Sequence, residues 1–520
     1  MKTKKILALL LAAVMLCSFA AACSSDEEEE TGGVKDTVVV AINGEPTKLT
    51  PYLDTSANNT IVEIQMLEPL FRMDNEGNVH PLLAESYEYE DETTLVVKLR
   101  EGVKFHNGDP LTADEVLFTY RKYAEQPAGS TNLAMIDTAN SFARDEHTVV
   151  FKLNYSYGPL IRLMSTTATS IVSSRAIEEL GEDGFSRAPV GTGPYKMGTW
   201  ESGSSITLVR NDEYWGTPAV TPNLEFRIIV EATNRCIELE TGSIDIAMDI
   251  QANDMDRISE NPDLTLVQTP GVGVTIGRIN TLKEPLTDPR VRLALIKALD
   301  VDAAVEAVYG GKGKRAWNGT ASTIWGYDDT YSKENYAYDV EAAKQLMIDA
   351  GYPNGFDLTI LTSDDTSRAL FAEIMQNQWN ELGINTKVQV YEVGTFFEYF
   401  RSADYQICMV SLNNDMQDPD NSLMTMFHTG MSEVPVYSNS EVDELLIQGR
   451  QETDETKRLE IYKEVQRILQ EDVAVLPLAE LDVISATRAN VTGFEPMANT
   501  TTRFATVGFA DATTGTETAE

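Results

Sequence analysis

FDLTILT (356–362), RALFAEIMQNQWNELG (368–383), TKVQVYE (386–392) and YQICMVS (405–411) follow one another in the second half of the chain. The first, third and fourth stretches are short and rich in apolar and β-branched residues, the signature of strands. The second repeats apolar residues at helical spacing, with Leu370, Phe371, Ile374, Met375 and Leu382 on one side. A further short helix is expected near 395–401. Strand, helix and strand joined by short links predict parallel neighbours and right-handed crossovers. This region is therefore read as an α/β lobe.

Upstream, LTDPRVRLALIKALDVDAAVEAVYGG (286–311) reads as helical. Asp288 is placed to cap it and Pro289 to open it. Val291, Ala294, Leu295, Ala298 and Leu299 form its apolar face, and Gly310–Gly311 stop it. DVEAAKQLMIDAGYPNG repeats the pattern with Asp339 as cap and Gly351 at the stop. Downstream, helices are expected after Ser440 and after Asp454, then a short strand, VAVLPLA. The N-terminal half is less regular, with strands read at TVVVAING (37–44), TLVVKLR (94–100) and HTVVFKLN (147–154). No repeat of 20 to 50 residues is apparent.

NNDMQDPDNS (413–422) comes directly after the last strand of the α/β run, at the sheet edge where open α/β folds bind ligands. Its three aspartates separate on local grounds. Asp418 precedes Pro419 and is expected to cap a helix, with Asp420 and Asn421 supporting the first turn. Asp415 has no such local duty and is the candidate for a functional role. Methionines 409, 416, 424, 426 and 431 cluster nearby, as core filling or as an adaptable lining.

The chain is long enough for two or three domains at 520 residues. It carries 41 basic and 81 acidic residues, a formal charge of −40, which argues against nucleic acid as a partner. Lys2, Lys4 and Lys5 precede the apolar run ILALLLAAVMLCSFAAA, which ends at Cys23 and SSDEEEE. This is the layout of a secretory signal over residues 1–22, and the run is short for a membrane span. Residues 23–36 then read as a solvated acidic tether. Cys236 and Cys408 are expected to be separate and buried.

Taken together, these stretches resemble the solute-binding proteins of ABC importers, in the group that takes oligopeptides, dipeptides and nickel complexes. The resemblance runs from about 37 to 495. It rests on PLLAESYEYEDETTLVVKLREGVKFHNGDPLTADEVLFTYRK (81–122), VGTGPYKMGTWESGSSITLVRNDEYWG (190–216), ELETGSIDIA (238–247), DPRVRLALIKALD (288–300) and AAKQLMIDAGYPNGFDLTI (342–360). Read locally, the first of these is scaffold, with His106 in its turns, Thr112 as a helix cap and Glu115 completing a capping box. Cys23 resembles the lipidated cysteine of bacterial lipoproteins, which implies an anchor at the outer face of the cytoplasmic membrane.

The resemblance implies an α/β fold of two lobes, of the periplasmic-binding-protein kind, with an extra domain inserted in the N-terminal lobe. Lobe one would hold 37–62, 188–272 and 485–512, the inserted domain 63–187, lobe two 273–484, and 513–520 would be a tail. It also implies a monomer that captures a peptide or amine-bearing solute and passes it to a permease and its ATPase. Asp415 matches the family aspartate that pairs with the ligand's α-ammonium group. Ser411 and Asn413 would run beside the peptide like an added strand, facing Ser56 and Ala57 across the cleft. The family's carboxylate-binding arginine has no clear counterpart. Thr362 falls near its place, and Arg401 or Arg368 are the substitutes. Leu412 and Ser411 replace a tryptophan and a glycine usual in the family.

The rival readings are weaker. His80, His106, His147 and His428 are scattered, and a calcium-loop template started at Asp418 meets Leu423 and Thr429 where glycine and glutamate are needed. A nickel chelate would leave His428 as the candidate contact. There is no G-x-S-x-G or H-E-x-x-H, so neither a cofactor, a resident metal nor a catalytic role is expected.

Overall fold

The structure is a computed structural model describing residues 35–432, 434–499 and 501–510. The leader, Cys23 and most of the acidic tether lie outside the described residues, as does the tail.

The strands, in chain order, begin with β1 (Thr37–Ile42), β2 (Phe71–Met73), β3 (Val79–Pro81), β4 (Ala84–Asp91) and β5 (Thr94–Leu99). Then come β6 (Ile136–Asp145), β7 (Thr148–Leu153), β8 (Tyr195–Glu201), β9 (Ser205–Arg210), β10 (Asn223–Ile228) and β11 (Ile246–Ala247). They continue with β12 (Leu264–Ile279), β13 (Gly313–Arg315), β14 (Asp357–Ser363), β15 (Asn385–Tyr391), β16 (Ile407–Asn413) and β17 (Val475–Arg488), followed by a short antiparallel pair, Val491–Thr492 and Gly508–Phe509. One sheet runs β15-β14-β16-β12-β17-β11-β1-β10-β9-β8, with β13 on the side of β17. A separate four-stranded sheet, β4-β5-β7-β6, and the hairpin β2–β3 lie within 63–187.

The α/β run has the expected topology, since β14 pairs in parallel with both β15 and β16. Its helix, Thr366–Trp379, is rotated from the sequence reading: Phe371, Ala372, Met375 and Trp379 are buried, whereas Leu370 faces solvent. Trp379, fully enclosed, donates its indole N–H to the Leu295 carbonyl at 2.9 Å, a long-range contact that outweighs the local stripe. The 286–311 stretch is two helices, Pro289–Lys297 and Val301–Tyr309, because Asp300 accepts the Ala303 N–H and starts a new one. Asp288 and Asp339 cap as expected.

Two further corrections concern caps. Asn439, one residue before Ser440, caps the helix Ser440–Gln451. The Thr112–Glu115 capping box does not form, because Glu115 instead accepts the Ser174 N–H and hydroxyl at 2.7 and 2.6 Å. His106 bridges two backbone groups, receiving the Gly191 N–H at Nδ1 and donating to the Gly193 carbonyl, and burial pushes its pKa down to about 4. Cys236 and Cys408 are buried and unbridged.

The largest departure from the sequence reading is the centre of the sheet. VAVLPLA leads into β17, which starts at its third residue, Val475, and runs on to Arg488, and β12 is 16 residues long. The two are antiparallel over most of their length, with the β11–β1 side of the sheet at one end and β16–β14 at the other. Their register shifts between Pro270 and Val274 and again between Thr275 and Ile276. Gly271 sits in the first irregularity, where an added Cβ would lie 2.4 Å from the Leu481 carbonyl oxygen, so only glycine allows this approach.

Candidate functional site

A cavity of about 380 Å³ opens where β12 and β17 cross from one half of the sheet to the other. Its floor is Gly271–Thr275 of β12 and Leu481–Ile484 of β17. One wall comes from the end of β1, the helix Ala57–Glu63 and Met248–Asp249; the other from Lys312, the end of β16 and the loop behind it. Ala498 and Asn499 complete the rim.

Asp415 lines this cavity with Asn413, Ser411 and Ala57. Its carboxylate has no hydrogen-bond or ion-pair partner among the described residues, and its main-chain oxygen accepts from Asn499 Nδ2 at 3.4 Å. The side chain is open to the cavity but walled by protein, and this desolvation raises its pKa above the ordinary 3.8. A carboxylate held this way is poised to receive a cation.

The neighbouring aspartates are fully committed. Asp418 caps the helix Pro419–Phe427 through the Asp420 N–H, as its place before proline predicts. It also receives Arg458 at 2.5 and 2.7 Å, with Arg162 3.6 Å away. Asp420 does more than support the first turn: it receives Arg450 at 3.0 Å and the hydroxyls of Tyr462 and Tyr157. Burial with charge partners in good geometry is what such carboxylates require. Asp415 is the one left unsatisfied.

Ser411 and Asn413 point to the cavity face of β16, and the Ser411 and Thr275 hydroxyls are 3.0 Å apart. β16 pairs with β12 from Ile407 to Asn413, whereas β14 pairs with it only at Ile407 and Cys408. Gly273 lies opposite Asn413, and a Cβ there would meet Asn413 Oδ1 at 2.6 Å, so glycine makes room for that side chain.

Other expected residues fall elsewhere. Ala57 and Asn58 line the cavity, but Ser56 does not; it sits just outside as the N-cap residue of the helix, held by Asp54. Arg401 is exposed on the helix Val393–Ser402, over the Phe397 ring, and away from the cavity lining. Arg368 lies 3.5 Å from Asp365, and Thr362 is buried. His428 accepts the Gly430 N–H. Met409, Met424 and Met426 are core, Met416 is buried, and Met431 is exposed; none lines the cavity.

Sequence reading missed three charged residues that do line it: Lys312, Asp249 and Asp482, the last accepting from Gln268 Nε2 at 2.7 Å. Lys312 pairs with Asp249 at 3.0 Å. Asp249 also accepts from Asn43 at 3.2 Å and lies 3.6 Å from Arg235. Burial raises its pKa, but Lys312, Asn43 and Arg235 together bring it below the ordinary value. Lys312 uses one contact here, and an ammonium group has three donors. Its signal was the first of two lysines in the glycine turn GGKGK; Asp249 stands just beyond ELETGSIDIA.

A cavity over two crossing strands, with walls from both halves of one sheet and an unpaired charge inside, defines a two-lobed binding protein. The match to the bacterial extracellular solute-binding proteins, family 5 Middle, spans residues 78–433, and the chain belongs to that family. It is 30% identical over 448 residues to di/tripeptide-binding protein 1 of Pseudomonas aeruginosa, covering 80% of this chain and 83% of that one. It is 28% identical to heme-binding protein A of Haemophilus influenzae, covering 77% and 79%. Among solved structures it is similar to the ABC transporter-associated periplasmic binding protein DppA of Helicobacter pylori in complex with the peptide STSA. That match has a TM-score of 0.76 and 25% identity, and covers 91% of this chain and 98% of the other.

Proposed function

We propose that this chain captures an oligopeptide, or a related amine-bearing solute, between two closing lobes and delivers it to an ABC permease and its ATPase. The observation that carries the reading is Asp415, a carboxylate in the cavity wall that no cation among the described residues satisfies. A ligand α-ammonium group supplies the missing partner. The edge of β16 beyond Cys408, free of β14, offers main-chain groups to an extended peptide, which suits a carrier that accepts many sequences. Lys312 takes the place of the missing arginine and receives the ligand's carboxylate. The peptide-binding names of relatives support this reading.

Lobe one consists of 37–62, 188–272 and the described part of 485–512, lobe two of 273–484, and 63–187 is an inserted domain. They close by bending where β12 and β17 change register. The protein works as a lipid-anchored monomer outside the cytoplasmic membrane, held through Cys23, and catalyses no reaction.

Titration calorimetry with trialanine and N-acetyl-trialanine tests the reading. Trialanine is expected to bind, its acetylated form to bind far more weakly, and Asp415→Ala to remove the difference. Equal affinity of the parent protein for both forms would exclude the role given to Asp415. Binding of a basic non-peptide amine with neither peptide bound would favour a cationic small molecule as the solute. Native mass spectrometry of material that co-purifies then identifies it.

A further inference from the structure

No residue of 63–187 lines the cavity, yet this segment grips both loops that carry its rim. Asn75, in the turn between β2 and β3, donates to the Pro496 carbonyl at 3.1 Å and accepts the Ala498 N–H at 3.0 Å. Ala498 and Asn499 are rim residues, and Asn499 reaches the Asp415 main chain. Arg162 donates to the Gly77 carbonyl at 2.7 Å, fixing the same turn, and lies 3.6 Å from Asp418.

Between Asp415 and Asp418 stands Gln417, fully buried in a left-handed conformation with φ of 48°. Its side-chain amide has no hydrogen-bond partner among the described residues, and it lies against Gly77, where an added Cβ would be 3.0 Å from its Oε1. A non-glycine residue with this backbone and an unsatisfied buried amide is held by its surroundings rather than by its own preference. The surroundings here are the β2–β3 turn and Arg162.

We infer that Asn75 and Arg162 are positioning residues of the ligand site, and that 63–187 sets the place of Asp415 without touching ligand. The inference rests on the reading that Asp415 receives the ligand's ammonium group. A displacement of the recognising group by about 1 Å is enough to weaken recognition strongly. The same interface contains contacts outside the 413–418 segment: Ser156 Oγ donates to the Gln451 carbonyl, and Tyr157 donates to Asp420 in the helix that follows it, which keeps Arg450 and Tyr462 in any case.

The experiment compares the full chain with Asn75→Ala, Arg162→Ala, Arg162→Lys and Tyr157→Phe. Affinity for trialanine and N-acetyl-trialanine is measured with amide hydrogen exchange in the ligand-free proteins. Asn75→Ala and Arg162→Ala are expected to weaken trialanine about ten-fold or more, with little change for the acetylated peptide, so discrimination falls. Exchange should accelerate at 413–418 and 496–499 and not across the sheet. Arg162→Lys should recover part of the loss, and Tyr157→Phe should match the parent. Retained discrimination with unchanged exchange in Asn75→Ala, whose side chain lies in a surface turn, overturns the inference even if Arg162→Ala does not fold. If the parent protein fails to discriminate, the role of Asp415 fails, while the exchange rates still decide whether Asn75 and Arg162 hold the loops.

Discussion

Asp415→Asn removes one negative charge from the cavity wall and keeps the size of the side chain and an acceptor oxygen. In the ligand-free protein the carboxylate has no partner among the described residues, and desolvation raises its pKa. The folded chain therefore holds this proton more tightly than the unfolded chain does. Its contribution to stability falls as pH rises from the ordinary 3.8 through the raised folded value, and stays low above it. Asparagine has no such slope, so the ligand-free variant should be the more stable protein at pH 7, with the advantage gone in acid.

With peptide bound the sign reverses. Removing one member of a desolvated charge pair costs about 2–5 kcal/mol, or roughly 30-fold to several thousand-fold in affinity. Peptide at one hundred times its dissociation constant stabilises the parent by about 2.7 kcal/mol. At about 2 cal/mol/K per residue, this shifts the melting temperature of a body of this size by about 2–3 °C. A variant weakened a thousand-fold keeps almost none of that shift. Calorimetric melting at pH 7 and pH 4, with and without trialanine, measures both effects. A variant that binds trialanine within two-fold of the parent, or is less stable than the parent at pH 7 without ligand, would refute the reasoning.

Arg458→Met leaves the buried Asp418 with the more distant Arg162 as its one charge partner among the described residues, and should cost about 3–5 kcal/mol in urea unfolding, with Asp418→Asn in the same chain restoring part of it. Glu63, buried with both carboxyl oxygens unpartnered among the described residues and its pKa raised by desolvation and by Asp54, makes the protein less stable as pH rises above the ordinary carboxylate range. Glu63→Gln should remove up to about 1.4 kcal/mol per pH unit of that slope, seen by comparing urea midpoints at pH 4.5 and 7. Lys312→Met should weaken trialanine about ten-fold or more but its C-terminal amide much less; equal losses for the two would exclude Lys312 as the carboxylate partner.

The parallel strands after residue 356 and the caps at Asp288, Asp339 and Asp418 were legible because their causes are local: periodicity, proline and a side chain two or three residues from its partner. The long strands β12 and β17 were not, since PGVGV and the sequence after VAVLPLA interrupt the strand pattern where the register breaks. Glu115 was misassigned because Ser174, 59 residues away, competes for it. Lys312 and Asp249 escaped for the same reason, as they meet only when the two halves of the sheet are folded together. Arg401 failed in the opposite sense: proximity in sequence to β16 did not bring it to the cavity.

The loop 413–422 shows why a site of this kind is only half visible in a sequence. Local signals assign Asp418 to a cap and leave Asp415 without a local duty, but they do not show which carboxylates distant cations take. Arg450 and Arg458, 30 and 40 residues further on, take Asp420 and Asp418, and Arg162 adds a charge from the other direction. Each of those pairings makes the carboxylate less available to a ligand. Asp415 is distinguished by the lack of a comparable partner among the described residues, and it is also the one of the three that lines the cavity. Two saturated acids fix the frame of the loop, and the third keeps an electrostatic deficit that, on the proposed reading, a cationic ligand relieves. A new arginine within reach of Asp415 would therefore stabilise the loop and disable the site in the same step.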